Sequence, residues 1–307
     1  MSDPRKHSET VLHGVIPAII TPLHKDGKIN DKLLEKQVSY LSNAGVHGFL
    51  VNGTTGEGPF LSMEEKKSNF ELVRAFSKGR QFLCLGCLLP STDLTIDEIR
   101  AFEPSRPDFV VVTSPYYFKV SQKEIVSHIR EIATQSPFPV IVYNIPQCTH
   151  SKIELQAMIE IASMDNVVGF KDSSGDFITF SRVLFRSKRE NFAWIMGEDY
   201  LDADALAIGA KGVVTGLGNV WIEPYLEMYE AAKRRDFATA RQHQEKINAV
   251  YEVIQTVGGR GIPAVKAGAA LLGRSEKWVK SPVQPLNEDE LSRVANVLAG
   301  IGLEVSR

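Results

Sequence analysis

Cysteine is scarce in this chain: Cys84, Cys87 and Cys148 are the only three in 307 residues. Three thiols build no disulfide framework, and their scarcity suits a reducing, cytoplasmic setting. Cys84 and Cys87 form a C-x-x-C, but "FLCLGCLLP" offers neither a second pair nor a histidine for a metal. The pair also lies in a strand-like apolar run rather than at the start of a helix, where a redox motif belongs, so a buried core position is expected. The seven histidines are scattered without ligand spacing, and no metal is expected. Charge of one sign is lacking too. A formal net charge of −2 supplies no basic field for nucleic acid or an anionic membrane, and the short run Lys233-Arg234-Arg235 reads as the solvated end of a helix. No apolar run approaches the roughly 20 residues of a membrane helix. The polar opening "MSDPRKHSET" has no apolar core of a secretory signal.

What is present is an ordinary globular composition, 43% hydrophobic and 23% charged. Apolar, β-branched runs recur along it: "VIPAII" (15–20), "HGFLV" (47–51), "FLCLG" (82–86), "DFVVV" (108–112), "PVIVY" (139–143), "VVGF" (167–170), "FAWIM" (192–196) and "GVVT" (212–215). They are apolar on both faces, as parallel strands covered by helices are. Charged segments with helical spacing separate them. Leu33, Leu34, Val38 and Leu41 make one helix stripe, with Asn30 or Asp31 as its start, and Ser62 with Glu65 marks the start of the next helix. Eight strand–helix units predict a (β/α)₈ barrel, although an open doubly wound sheet also fits such alternation. Residues from about 222 read as helices. The expected organisation is a polar tail (1–11), a barrel (12–221), and a helical region (222–307) that completes the last barrel helix and packs on the barrel.

Barrel enzymes carry their chemistry at the carboxyl ends of the strands. In this chain those ends read "NGTTGEG", "TSPYY", "YNIP", Lys171, "GED" (197–199) and "TGLGN". A strand-end lysine attacks a carbonyl only as the free amine, which a low-dielectric barrel mouth favours over the ammonium. Lys171 is therefore either an imine-forming nucleophile or the partner of Asp172 or Asp176 in a salt bridge. Tyr143 either shuttles protons or is a buried aromatic with a satisfied hydroxyl. Thr54 and Thr55, beside Gly53 and Gly56, offer hydroxyls and backbone N–H groups to a small carboxylate, or simply cap the following helix. Tyr116 and Tyr117 are packing aromatics or site residues. "NGTTGEG" lacks the Gly-Lys-Ser/Thr ending of a phosphate loop.

Taken together, "GTTGEG", "SPYY", "YNIP" and "GFKDSSG" resemble the pyruvate-dependent class I aldolase superfamily, which includes N-acetylneuraminate lyase, dihydrodipicolinate synthase and 2-keto-3-deoxy-sugar-acid aldolases. The spacing agrees as well: 63 residues from Thr54 to Tyr117, 26 on to Tyr143 and 28 more to Lys171. The resemblance implies that Lys171 forms the Schiff base and Tyr143 is the general acid/base. It implies that Thr54 relays protons between Tyr143 and a Tyr117 reaching in from a neighbouring subunit. Thr55, with Gly53 and the loop backbone, would hold the pyruvate carboxylate, and Gly197 and Val214 would line the pocket near the imine. A homotetramer built as a dimer of dimers is implied, with no cofactor beyond the covalent imine. The stretch "YNIPQCTH" has Cys148 where dihydrodipicolinate synthases carry an arginine, and His150 where a glycine is common. A neutral thiol cannot replace the bidentate pairing of an arginine with a carboxylate. The stretch "FLVNGTTGEGPFLSMEEKKSNFELV" looks more like 2-keto-3-deoxygluconate-type aldolases, which also lack that arginine, and this resemblance implies reversible aldol cleavage of a 2-keto-3-deoxy sugar acid to pyruvate and a small aldehyde. The alternatives are 4-hydroxy-tetrahydrodipicolinate synthase, condensing pyruvate with aspartate semialdehyde, a related dehydratase or hydratase-aldolase, and a non-catalytic keto-acid-binding barrel.

Overall fold

The computed structural model describes residues 11–305 except 78, 80 and 188, so the expected polar tail lies, apart from Val11, outside the described residues. Eight parallel strands form its centre: β1 (Gly14–Pro17), β2 (Gly48–Val51), β3 (Phe82–Cys87), β4 (Phe109–Thr113), β5 (Val140–Asn144), β6 (Val167–Asp172), β7 (Ala193–Met196) and β8 (Gly212–Thr215). From β2 to β8 each strand pairs with the next, and β8 pairs with β1. A doubly wound sheet would reverse its strand order at a switch point. This ring does not, so the structure is the barrel. Hydrogen bonds from His47 N to Val15 O and from Ile19 N to Leu50 O, both 3.1 Å, complete the ring between β1 and β2.

The first strand ends earlier than its apolar run. Ala18 N still donates to Thr215 O, but Ile20 N donates to the side-chain Oδ1 of Asn219, so the backbone leaves the ladder.

Strand residues alternate between two layers, as a pleat of period two requires, except at the start of β6, where the register against β5 shifts and Val167 packs outward and Val168 inward. Inward positions include Ile16, Leu50, Cys84, Val111, Ile141, Tyr143, Ile195 and Val214. Outward positions, such as Val110, Val112, Val140, Val142 and Phe170, face the surrounding helices. Cys84 and Cys87 are both buried, as expected.

The helices are α1 (Asp31–Ala44), α2 (Met63–Ser77), α3 (Thr92–Ala101), α4 (Gln122–Gln135), α5 (Pro146–Thr149), α6 (Leu155–Ala162), α7 (Phe177–Arg186), α8 (Asp202–Ala207), α9 (Glu223–Lys233), α10 (Phe237–Gln255), α11 (Gly261–Leu271) and α12 (Glu288–Gly300). Their starts follow local chemistry. Asn30 Oδ1 accepts from Leu33 N ahead of α1, and Ser62 and Glu65 bond each other's backbone N–H ahead of α2. The last four helices follow the barrel strands in sequence. Among the described residues no helix is long and apolar enough to cross a membrane.

Candidate active site

Lys171 and Tyr143 are register partners on β6 and β5. Both point inward, because each lies an even number of residues from an inward neighbour on its own strand. Lys171 is only 5% exposed and Tyr143 3%, and the lysine Nζ sits 3.8 Å from the centroid of the tyrosine ring. The Lys171 side chain makes no hydrogen bond or ion pair among the described residues. The two acids that could have paired with it are engaged elsewhere. Asp172, one residue on, points out of the barrel, where its carboxylate accepts from Asn144 Nδ2 (3.2 Å) and Ser174 N (2.7 Å). Asp176 caps α7 through Thr179 N and pairs with Lys152 at 2.6 Å. The salt-bridge alternative for Lys171 therefore fails, and a buried amine without a carboxylate partner remains.

Two residues shape the space around that amine. A Cβ on Gly197 would lie 2.6 Å from Lys171 Cε and 2.4 Å from Ser173 Oγ, so only glycine lets the lysine pass at this point. Ser173 follows Lys171 by two residues and shares its inward direction. Its Oγ lies 2.8 Å from Gly197 O and 3.4 Å from the Tyr143 hydroxyl, and its single proton can serve only one of them. The i, i+2 rule applied to "KDSSG" would have exposed Ser173 as a site residue. Below the amine the barrel is apolar, lined by Ile16, Leu50, Ile141, Ile195 and Val214. This floor keeps water and charge away from the lysine stem.

The loop after β2 carries the two threonines at the same rim. It is closed by backbone hydrogen bonds from Glu57 N to Thr54 O and from Gly58 N to Gly53 O, each 3.0 Å. Thr54 and Thr55 are half-buried, and neither hydroxyl is hydrogen-bonded among the described residues. Thr55 Oγ1 faces the end of β8, 3.0 Å from where a Cβ on Gly216 would be. Tyr117 is not brought into the site of its own chain. It is 88% exposed, its φ of +78° is left-handed, and its ring contacts Phe118 edge-on at 5.1 Å. Tyr116 is the packing aromatic of the pair, donating to Leu88 O at 3.2 Å.

Past β7 the rim turns acidic. Burial, and then the neighbouring Asp199, pushes the Glu198 carboxyl up to about 6. Burial also raises Asp199, although its Oδ1 accepts from Thr215 Oγ1 and Tyr225 OH at 2.6 Å each. Asp202 is driven well above the carboxylate range by burial and by its two acidic neighbours, and its Oδ2 has no partner. Lys171 acts on both aspartates in the opposite direction. "GED" was legible as a strand end, whereas Asp202 and Tyr225 join it only through the fold. Among the described residues no three His, Cys, Asp or Glu side chains are grouped to hold a metal. Cys148 lies exposed on α5, and the cation nearby in sequence, Lys152, is taken by Asp176.

The dihydrodipicolinate synthetase family matches residues 11–301. The chain is 33% identical over 291 residues to the 4-hydroxy-tetrahydrodipicolinate synthase of Methanospirillum hungatei, covering 94% of this chain and 99% of that protein. It is 29% identical over 287 residues to the protein of the same name from Corynebacterium aurimucosum, covering 93% of each. Among solved structures, the dihydrodipicolinate synthase of Aquifex aeolicus superposes with a TM-score of 0.90 at 28% identity, over 96% of this chain and 100% of that one. The chloride-inhibited dihydrodipicolinate synthase of Acinetobacter baumannii complexed with pyruvate gives 0.91 at 26% identity, over 95% of this chain and 100% of its own. The family match and these relatives span nearly the whole chain, and the chain belongs to the dihydrodipicolinate synthetase family, as an enzyme of the pyruvate-dependent class I aldolase superfamily.

Proposed function

We propose that Lys171 captures pyruvate as an imine and that the chain then makes or breaks a carbon–carbon bond at the pyruvate methyl carbon. The observation that carries this is the buried, unpartnered amine of Lys171 against the Tyr143 ring. The amine attacks the keto carbon, and the carbonyl oxygen leaves as water once it has taken up protons, with Tyr143 as the carrier. The protonated imine draws electrons so that a methyl proton is lost and an enamine forms. The enamine carbon attacks an aldehyde, whose oxygen takes up a proton, and water releases the product and regenerates the amine. The imine itself is the electron sink, so the cycle uses no metal and no cofactor. Thr55 and the N–H groups of the Gly53–Gly56 loop hold the pyruvate carboxylate, while Gly197 and Val214 border the imine. Tyr117, projecting from the surface, completes the proton path through Thr54 in a second copy of the chain. The assembly is thus at least a dimer, and a dimer of dimers is the expected form.

The name shared by the relatives supports aspartate semialdehyde as the aldehyde, and so the synthase reaction, more than the sugar-acid cleavage expected from the sequence. Cys148 favours the second reading. The loop after β5 presents a thiol and a lysine already paired with Asp176, and so no free cation for the carboxylate of aspartate semialdehyde. The deciding experiment offers the enzyme pyruvate with aspartate semialdehyde, and separately a 2-keto-3-deoxy sugar acid, and identifies the products. Turnover of the first alone supports the synthase, and cleavage of the second supports the aldolase. Turnover of neither, or turnover that survives in Lys171→Ala, contradicts the proposal.

A further inference from the structure

Glu57 ends the threonine loop, and its side chain is tied to a part of the chain more than 200 residues away. Its φ of +59° is left-handed, a conformation that a non-glycine residue keeps only when its surroundings hold it there. The carboxylate is 1% exposed. Oε1 accepts from Lys266 Nζ at 2.5 Å, and Oε2 accepts from Lys280 N at 2.6 Å. Lys266 projects from α11 and is itself fully buried. Lys280 continues the tie, its Nζ donating to Glu65 Oε1 on α2 at 2.5 Å.

From below, the same loop rests on the barrel. Thr21 Oγ1 donates to Gly56 O at 2.7 Å, and a Cβ on Gly56 would lie 2.7 Å from Ile19 O. At Gly58 an added Cβ would lie 1.8 Å from Asn52 O, so the backbone has no slack there. The span bearing Thr54 and Thr55 is thus fixed between the barrel and the C-terminal helices.

A buried ion pair is weak evidence for stability, because desolvating two charges offsets their attraction. Burial also pushes Lys266 below the ordinary lysine range, against the pull of Glu57. What such a pair does fix is geometry: the buried carboxylate, held by Lys266 Nζ on one oxygen and Lys280 N on the other, keeps the three backbones in one relation.

We propose that the Lys266–Glu57 pair is a positioning device that sets the Thr54–Thr55 span relative to Lys171, so that the pyruvate carboxylate and keto carbon are engaged together and α11 takes part in pyruvate capture. The proposal rests on Thr55 holding that carboxylate, as set out above. Neither residue touches substrate.

The double variant Glu57→Gln/Lys266→Met removes both charges and strands neither. Its circular dichroism stays that of the parent, and its melting temperature falls by several degrees at most, because the new amide can still accept from Lys280 N but its own N–H group loses a partner. The pyruvate concentration for half-maximal borohydride trapping rises about ten-fold or more, since misplacement by an ångström costs up to about a hundred-fold. The trapping rate at saturating pyruvate falls far less, a split that a merely structural role would not produce. An unshifted half-saturation in the folded double variant overturns the proposal. If that variant does not fold, Glu65→Gln carries the test, because it frees the Lys280 side chain without burying a charge. It raises half-saturation about two- to three-fold, a fraction of the loss expected from full misplacement, and no rise overturns the proposal. A parent chain that traps no pyruvate overturns the Lys171 assignment and this proposal with it, whereas parent trapping with unshifted variants overturns the positioning alone.

Discussion

Gly197 and Lys171 meet so closely that a Cβ on the glycine would lie 2.6 Å from the lysine Cε. The atom displaced would be the far end of a flexible side chain, not backbone. Gly197→Ala therefore leaves the fold in place and moves the amine. The melting temperature changes by a few degrees at most, roughly the effect of 1 kcal/mol on a chain of this size. The rate of imine formation with pyruvate falls at least about ten-fold, given what small misplacements cost. A normal rate in a folded Gly197→Ala protein would show that the lysine does not use this space.

Tyr117 is 88% exposed, yet it is assigned to the site of a second copy. Tyr117→Phe should then slow turnover while altering stability by less than about 0.5 kcal/mol, as surface substitutions do. Subunit mixing distinguishes the source of the effect. Tyr117→Phe and Lys171→Ala chains, each impaired alone, should regain activity when mixed, because a mixed dimer contains one complete site. No recovery after verified subunit exchange would place the role of Tyr117 within its own chain.

His128 sets a pH dependence of stability. The ring is buried between Thr92 Oγ1 (2.9 Å at Nδ1) and Thr113 O (3.2 Å at Nε2). Burial lowers it from 6.5 to about 4, partly opposed by the hydrogen bond to Thr113. The unfolded chain therefore binds a proton near pH 6.5 that the folded chain refuses until about pH 4. Stability from this residue is full above pH 6.5 and is lost as the pH falls toward about 4. The loss is about 3 kcal/mol at most, by the conversion of about 1.4 kcal/mol per tenfold change in proton affinity. Urea unfolding of the parent and of His128→Asn at pH 7.5 and pH 4.5 checks this. The parent should lose more stability between the two pH values than the variant, and equal losses would refute it.

Tyr225 donates to the buried Asp199 carboxylate alongside Thr215. Tyr225→Phe removes one donor and leaves the acid under-satisfied in a site that already raises its carboxyl. The expected cost is about 1–3 kcal/mol in urea unfolding at pH 7.5. That cost should shrink as the pH falls, because the folded state then holds Asp199 protonated. A cost independent of pH would show that the carboxylate is not what the phenol serves.

The strands were legible because parallel strands bury both faces, so each is a local apolar run such as "DFVVV" or "PVIVY". The end of β1 was not. Asn219, 199 residues away, takes the N–H of Ile20, and no local pattern records that. Lys171 and Tyr143 could be read as strand-end residues, but their pairing is a matter of register between β5 and β6. Whether Lys171 was paired with Asp172 depended on strand alternation, which sends neighbouring side chains to opposite faces. Ser173 was within reach of the same rule. The tie between Glu57 and Lys266 was not, because it joins a left-handed turn to a helix 209 positions away.

The most direct test of the account is reduction with borohydride in the presence of pyruvate, followed by mass analysis of the peptides. A single reduced pyruvyl adduct is expected on the peptide bearing Lys171, absent without pyruvate and absent in Lys171→Ala. An unmodified Lys171, or an adduct on another lysine, would contradict it.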